Sequence, residues 1–405
     1  MLLLKGGLTA RLRVSTDFAR RYALRCIGRN ETIFGIYRCC LSKSMSVITM
    51  SSSGPPKFKP LDKYAKQNDN GNKFRIVSYN ILAQVFVKSS YFPHSPSPCL
   101  RWKARSQAVL TVLKSLESDF LCLQELDEYD CFYKEKLETD GYSSIYVQRS
   151  GQKRDGCGIF YKPNSAELLL EEKIEYNDLV DGISSCVSEH DVTQVTGNGD
   201  DVPIEGAPLK KDPRDRGDPN DPRVRLKRDC VGIMGAFKLK DLHVIVVNTH
   251  LYWDPELADV KLEQAKYLLL RLAQFKAIVA NKLGCNASIV VCGDFNSTPG
   301  DQVYQYLVSG YSSSIPHDNA EDLPIPLCSV YAYDTGKEPP FTNCTPMFTN
   351  TLDYIFFSPS EQLEPVAVLE LPEPESSEVA GGLPNYHHPS DHLPIGAEFV
   401  IRASS

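Results

Sequence analysis

The stretch Ile289-Val-Val-Cys-Gly-Asp-Phe-Asn-Ser-Thr-Pro299 decides how the rest of the chain is read. Its apolar start, with two valines in succession, predicts a buried strand. Gly293 is read as the end of that strand. Asp294 and Asn296 follow at alternate positions, which in extended backbone would send both side chains the same way. Pro299 stops the ladder. A carboxylate and an amide presented together at an open strand end can hold a metal-bound water and a phosphate oxygen. The same residue types also make an ordinary polar turn, so the choice rests on whether other strands end alike.

Others do. Phe74-Arg-Ile-Val-Ser-Tyr-Asn80 is strand-like and ends on an amide; Phe120-Leu-Cys-Leu-Gln-Glu125 ends on a carboxylate. Leu242-His-Val-Ile-Val-Val-Asn-Thr-His250 is the clearest strand and ends on an imidazole. Leu352-Asp-Tyr-Ile-Phe-Phe357 carries Asp353 near its start, and Asp391 and His392 lead into a terminal strand up to Val400. Asp155-Gly-Cys-Gly-Ile-Phe-Tyr161 is a further strand with a glycine-marked entry. Helical spacing of apolar residues marks Arg101–Glu117 and Ala258–Leu283, and a short helix is expected at Val303–Leu307. Strands interspersed with helices predict an α/β protein with its polar residues gathered at one edge of the sheets.

The composition bounds the function. A chain of 405 residues with 42% hydrophobic content can bury a large core. It has no apolar run of about eighteen residues, so no membrane-spanning helix is expected. Residues 1–50 hold nine Lys/Arg and two acids, a net of +7. The remainder carries 35 bases against 49 acids, or −14. An acidic body binds phosphorylated ligands only with local cations, most simply metal ions. Thirteen scattered cysteines without a C-x-x-C pair fit a reduced intracellular protein lacking a disulfide framework or zinc site.

Residues 1–50, rich in Arg, Ser and Leu, read as an organelle transit peptide, with a disordered basic tail as the alternative. This start points to the mitochondrion. Residues 51–72 read as a linker, and the folded body as 73–401. Within it, residues 177–228 read as a long flexible insertion, and Glu370–Gly382 as a loop.

Carboxylates, amides and imidazoles without cysteine favour a hard divalent ion, Mg²⁺ or Mn²⁺, over zinc. Neither a Ser–His nucleophile elbow nor a Gly-rich phosphate loop is present. Metal-assisted attack of water on a phosphate remains.

Ser-Tyr-Asn80, Leu-Gln-Glu125, Asn-Thr-His250, Gly-Asp294-Phe-Asn296, Leu-Asp353-Tyr and Ser-Asp391-His392 resemble, in order, the motifs of the exonuclease–endonuclease–phosphatase superfamily. Thr-His250-Leu-Tyr-Trp-Asp-Pro255 with Asp259-Val-Lys-Leu-Glu-Gln264 is similar to its carbon-catabolite-repressor type of poly(A) deadenylase. The resemblance implies a four-layer α/β/β/α sandwich of two mixed sheets, with the site at the mouth between them. It implies a Mg²⁺-dependent 3′–5′ exoribonuclease acting on single-stranded poly(A) and releasing 5′-AMP, in the cytoplasm and nucleus. Two Mg²⁺ positions are implied, with Mn²⁺ as a substitute. By the same resemblance Glu125 would be the principal metal ligand, helped by Asn80, with Asp294 a further ligand and Asp391 completing a second position. Asp294 would also orient the attacking water and accept its proton. Asn296 and His250 would hold the phosphate, and His392, oriented by Asp353, would stabilise developing charge. Pro255 and Phe348 would sandwich the base, and Asn343 would contact the substrate.

The residues before Lys73 contain no leucine-rich repeat, so joining the NOT scaffold through such a repeat is not expected. Two other functions fit parts of the pattern. One is a nocturnin-like phosphatase acting on NADP or another nucleotide, disfavoured by Asp254 where a 2′-phosphate would need cations. The other is a non-catalytic RNA-binding module, disfavoured because every motif residue is present.

Overall fold

The computed structural model describes residues 56–65, 71–181, 218, 220–309 and 325–402. The transit-peptide-like segment 1–50 and most of the insertion 177–228 lie outside them. In chain order the strands are β1 (Phe58–Pro60), β2 (Asn72–Asn80), β3 (Phe120–Gln124), β4 (Ser143–Gln148), β5 (Gly156–Tyr161), β6 (Glu167–Glu175), β7 (Val231–Leu239) and β8 (Leu242–His250). They continue as β9 (Ser288–Asp294), β10 (Cys328–Ser329), β11 (Asn343–Thr345), β12 (Phe348–Asn350), β13 (Asp353–Phe357), β14 (Leu363–Leu369) and β15 (Ile395–Ile401). Four helices matter here: α1 (Trp102–Ser115), α2 (Lys134–Thr139), α3 (Ala258–Leu283) and α4 (Gln302–Ser309).

A seven-stranded sheet runs β1-β14-β15-β2-β3-β5-β4, and a six-stranded one runs β10-β13-β9-β8-β7-β6. Both are mixed. Each has a parallel pair at its centre, β2/β3 and β8/β9, and every other pair is antiparallel. The parallel pairs require long crossovers, supplied by α1 and α3. Strand alternation then sorts every side chain. Phe74, Ile76, Phe120, Cys122, Val244, Val246, Val290, Cys292, Ile355 and Phe399 form one core between the sheets. Val77, Tyr79, Leu121 and Leu123 face outward onto Val109, Leu110 and Leu113 of α1. Ile245, Val247, Ile289 and Val291 face outward onto Leu268, Leu272 and Val279 of α3. The result is the expected four layers, helix, sheet, sheet, helix.

The inner face turns polar at one end. Continuing the inward phase of β2, β3, β8 and β9 leads to Asn80, Gln124, Asn248, His250 and Asp294. Two of these lock the sheets together. Gln124 Nε2 donates to Asn248 Oδ1 (2.7 Å), and Asn248 Nδ2 donates across the gap to the Leu123 and Gly158 carbonyls (2.9 and 2.8 Å). Buried amides persist where their hydrogen bonds are made internally.

Several expectations need correcting. Gly293 does not end its strand, because β9 runs on through Asp294. It is glycine because a Cβ there would stand 2.2 Å from the Thr249 carbonyl oxygen of the neighbouring strand. Residues 58–60, read as linker, form edge strand β1 on β14; Lys and Pro are common at edges, which conceals such a strand in the sequence. The insertion is closed at its base. Asn177 Oδ1 accepts from the backbone N–H of Arg228 and Asp229, both at 3.0 Å, and its Nδ2 donates to Ser150 and Asp229. Pro222–Arg225 inside it forms one helical turn with Asp221 as its N-cap.

Candidate active site

Strand register brings the second sheet's groups together. His250 of β8 lies beside Asp294 of β9, and Asp294 beside Asp353 of β13. Three polar residues spread over about a hundred positions thus share one row, all on the inner face. His250 Nε2 is 3.4 Å from Asp294 Oδ2, and His392 Nε2 is 3.7 Å from the same oxygen. His392 Nδ1 meets Asp353 Oδ2 at 2.8 Å, and that oxygen also accepts from Thr342 Oγ1 at 2.6 Å. The first sheet adds Asn80, whose Nδ2 donates to Asp294 Oδ2 (2.9 Å) and Glu125 Oε1 (3.1 Å). Ala83 N–H donates to Glu125 Oε2 at 2.9 Å. Ser390 Oγ donates to the Asn80 carbonyl at 2.7 Å, bringing Asp391 and His392 to the mouth.

Asn296 reaches the site by a route the sequence does not show. It is left-handed, φ +48°, so it does not continue the extended alternation. Its backbone N–H bonds Asp294 Oδ1 (2.9 Å), an Asx turn. Its Nδ2 lies 3.1 Å from His250 Nε2 and donates to the Leu251 carbonyl at 3.0 Å. Glu125 is also left-handed, φ +52°. Non-glycine residues held there are costly and cluster at functional sites.

The charges are strongly perturbed. Burial pushes the Glu125 carboxyl up, with Asp391 and Asp155 adding repulsion, to about 8. Burial and the Asp353 charge raise Asp294. Burial lowers His250 to about 4 against the pull of Asp294, so the ring is neutral and its Nε2 lone pair can accept from Asn296. Burial opposes charge on His392 as well, but Asp353 and Asp294 outweigh it and hold that ring protonated well above the ordinary imidazole range.

The donor set fits a hard cation. Glu125, Asn80, Asp294 and Asp391 offer oxygen atoms, and the mutual repulsion around Glu125 is what a divalent ion would relieve. Asp353 Oδ1 is buried without a hydrogen-bond partner. Asp294, Asp353 and His392 also present ligand atoms within 4.8 Å of one another. Since His392 and Asp353 already bond each other, that trio reads more simply as an oriented imidazole beside a carboxylate.

Residues 77–392 match the Endonuclease/Exonuclease/phosphatase family. The chain belongs to that family. Among its relatives, "Carbon catabolite repressor protein 4 homolog 4" of Arabidopsis thaliana is 59% identical over 84% of this chain and 82% of its own length. A "CCR4-Not complex 3'-5'-exoribonuclease subunit Ccr4" from Debaryomyces hansenii is 29% identical over 85% of this chain and 41% of its own. The chain spans about half the length of such fungal relatives. Among solved structures, ANGEL2, a 2′,3′-cyclic phosphatase, superposes with a TM-score of 0.63 at 26% identity, covering 86% of this chain and 98% of that one. The human nocturnin catalytic domain shares the fold, with a TM-score of 0.56 at 21% identity over 86% of this chain and all of that one. Nucleases of this family are metal-dependent, in keeping with the buried acid–imidazole cluster.

Of the residues expected in this family site, Asn80, Glu125, His250, Asp294, Asn296, Asp353, Asp391 and His392 converge. Asn343 lies beside them, buried on β11 and bridged to His392. Phe348 is 44% exposed on β12, in the hairpin that Asn343 begins, and Pro255 is exposed in a 3₁₀ turn five residues beyond His250. The two stand on different elements, Phe348 in the β11–β12 hairpin and Pro255 in the turn that follows β8.

Four supporting groups escape a sequence reading. Lys261, buried on α3, donates to the Asn296 carbonyl at 2.7 Å and so grips the left-handed turn. Thr342 fixes Asp353. Buried Arg105 of α1 donates to the carbonyls of Ile81, Leu82 and Pro389, tying the loop after Asn80 to the approach of Ser390. Arg149 pairs with Asp155 at 3.3 Å and caps the Asp229 carbonyl. Only Lys261 leaves a signal: a lysine in the inward helical phase of Val260, Gln264 and Ala265.

Proposed function

We propose that this chain is a metal-dependent 3′–5′ exoribonuclease that shortens single-stranded poly(A) and releases 5′-AMP. The observation that carries this is the row His250–Asp294–Asp353 with His392 behind it, faced by Asn80 and Glu125 from the other sheet. The Debaryomyces hansenii relative at 29% identity is a 3′–5′-exoribonuclease subunit, and the Arabidopsis relative at 59% carries the same carbon-catabolite-repressor name, which supports exonucleolytic action on RNA.

Each residue has work consistent with its geometry. Asp294 Oδ2 receives a hydrogen bond from Asn80 and lies between two imidazoles, so it can orient a water and accept its proton. Protonated His392, fixed through Nδ1 by Asp353, turns Nε2–H toward the charge that develops on the phosphate oxygens. Asn296 and neutral His250 border the same space. Glu125, Asn80 and Asp391 would hold Mg²⁺, with a second ion near Asp294 and Asp391 and Mn²⁺ as a substitute. The bound ion supplies charge neutralisation at the scissile phosphate and leaving oxygen. Phe348, Pro255 and Asn343 receive the terminal adenosine.

The alternative is a nucleotide phosphatase, favoured by the likeness to ANGEL2. AMP release from oligo(A), against phosphate release from NADP⁺, with Mg²⁺ and with chelator, separates the two. Phosphate release without AMP would overturn the exonuclease reading. Membership of a CCR4-Not complex is a separate matter, settled by co-purification.

A further inference from the structure

Trp253 is 64% exposed, among the most exposed large apolar side chains in the described residues. The molecule has only two tryptophans, and the other, Trp102, packs edge-on to Phe132 and Tyr133 at 5.3 and 6.1 Å. An indole left in water has forgone a large burial gain. Its position is not that of a loose loop tip. Leu251 before it is buried and bonds the Asp294 carbonyl at 3.0 Å. Tyr252 N–H is held by Gln264 Oε1 at 2.9 Å, and Asp254 after it caps the next turn through Glu256 N–H at 2.9 Å. The residues on both sides are fixed, and the ring is held outward on a rigid turn.

Trp253 lies three positions after His250, so the two backbones lie within about 10 Å. The indole also ends a ledge. Its ring centroid is 6.0 Å from that of Tyr252, and the Arg228 guanidinium lies over the Tyr252 ring at 5.2 Å. An aromatic face beside a cation, three positions along the chain from an active-site histidine, is the chemistry that holds an unpaired base and its phosphate.

We infer that Trp253 forms a second nucleotide subsite, stacking an unpaired base upstream of the scissile linkage. The inference rests on the exoribonuclease reading and narrows it to a polymer at least two nucleotides long. The subsite makes the enzyme prefer single strands, because a paired base has no free face to offer, and it tolerates any base, because stacking reads no hydrogen-bonding edge. Preference for adenine then belongs to the terminal position.

Trp253 itself reports the test. Intrinsic fluorescence of the full chain is followed with AMP and with a five-nucleotide oligo(A) carrying uncleavable phosphorothioate linkages. The oligonucleotide quenches the signal and AMP does not, and Trp253→Phe loses the quenchable component. In steady-state kinetics Trp253→Ala raises KM for oligo(A) about tenfold, leaves kcat within about twofold, and is rescued by Trp253→Phe. If wild type degrades oligo(A) while its fluorescence ignores the oligonucleotide, or if Trp253→Ala matches wild type, the subsite is overturned and the indole is left to a protein partner. If wild type does not degrade oligo(A) at all, it is the exoribonuclease reading that fails.

Discussion

His392 and Glu125 face the same space under opposite conditions. His392 is charged and already answered: Asp353 holds it at 2.8 Å, Thr342 holds Asp353, and Asp294 lies beyond. Glu125 is answered by two N–H groups, while the charges that act on it most are the carboxylates of Asp391 and Asp155. One half of the site is complete as folded. The other is a set of mutually repelling carboxylates that the cation proposed for Glu125 would complete. The difference separates what folding alone supplies from what a bound ion must add, and it can be tested from either side.

The largest effect should come from Glu125→Ala. Turnover on oligo(A) falls about a thousandfold or more, since metal stabilisation of charge is worth several kcal/mol. The melting temperature of the metal-free protein stays level or rises, because a repelled carboxylate has been removed. A variant that melts far below wild type would place Glu125 among the structural groups instead.

Asp353→Asn should invert that pattern by costing both activity and stability. The amide cannot stabilise a charged ring, so His392 titrates lower and turnover falls about a hundredfold or more. Thr342 and His392 lose a charge-assisted acceptor, worth about 1.5–3 kcal/mol. An alkaline limb of kcat that does not move toward neutral pH in the variant would remove His392 from its assigned role.

The pH dependence of stability sharpens the contrast. Glu125 is raised in the folded state to about 8, so its ionisation destabilises the metal-free fold above that pH. The penalty is relieved as pH falls from about 8 toward the unfolded value near 4.5. Buried His250, lowered to about 4, acts oppositely: its contribution is intact above the unfolded value of 6.5 and is lost as pH falls toward 4. Mg²⁺ binds the ionised carboxylates, so it should raise the melting temperature more at pH 8.5 than at pH 5.5. At a hundred times its dissociation constant it adds about 2.7 kcal/mol. Equal shifts at both pH values would remove Glu125 from the metal site.

The smallest effect belongs to the base. Phe348→Ala should raise KM for oligo(A) about tenfold, as loss of one stack implies, with melting unchanged because the ring is exposed. An unaltered KM would leave Phe348 a bystander.

The sequence made the strand ends legible because alternation is a local property. Once Phe74, Ile76 and Ser78 face inward, so must Asn80. The same logic put Asn296 at the site by the wrong route, because it takes one left-handed residue to break the alternation and nothing in the residue type demanded it. Thr342, Arg105 and Arg149 act through backbone carbonyls and side chains distant in sequence, and such partners have no spacing to read. β1 went unseen because three residues of mixed polarity carry no periodicity.

The amide pair Gln124–Asn248 has a consequence of its own. Gln124 immediately precedes Glu125, and Asn248 lies two residues before His250. Their bond therefore works as a gauge block, setting the gap between the cation-seeking wall and the proton-handling wall at the point where that gap matters. A slip of one residue between the sheets would shift the walls by about 3.3 Å, the width of a hydrogen bond. With that tolerance set inside the core, loops at the mouth such as 251–257 and 343–350 are free to vary in what they grip, while the chemistry beneath keeps its dimensions.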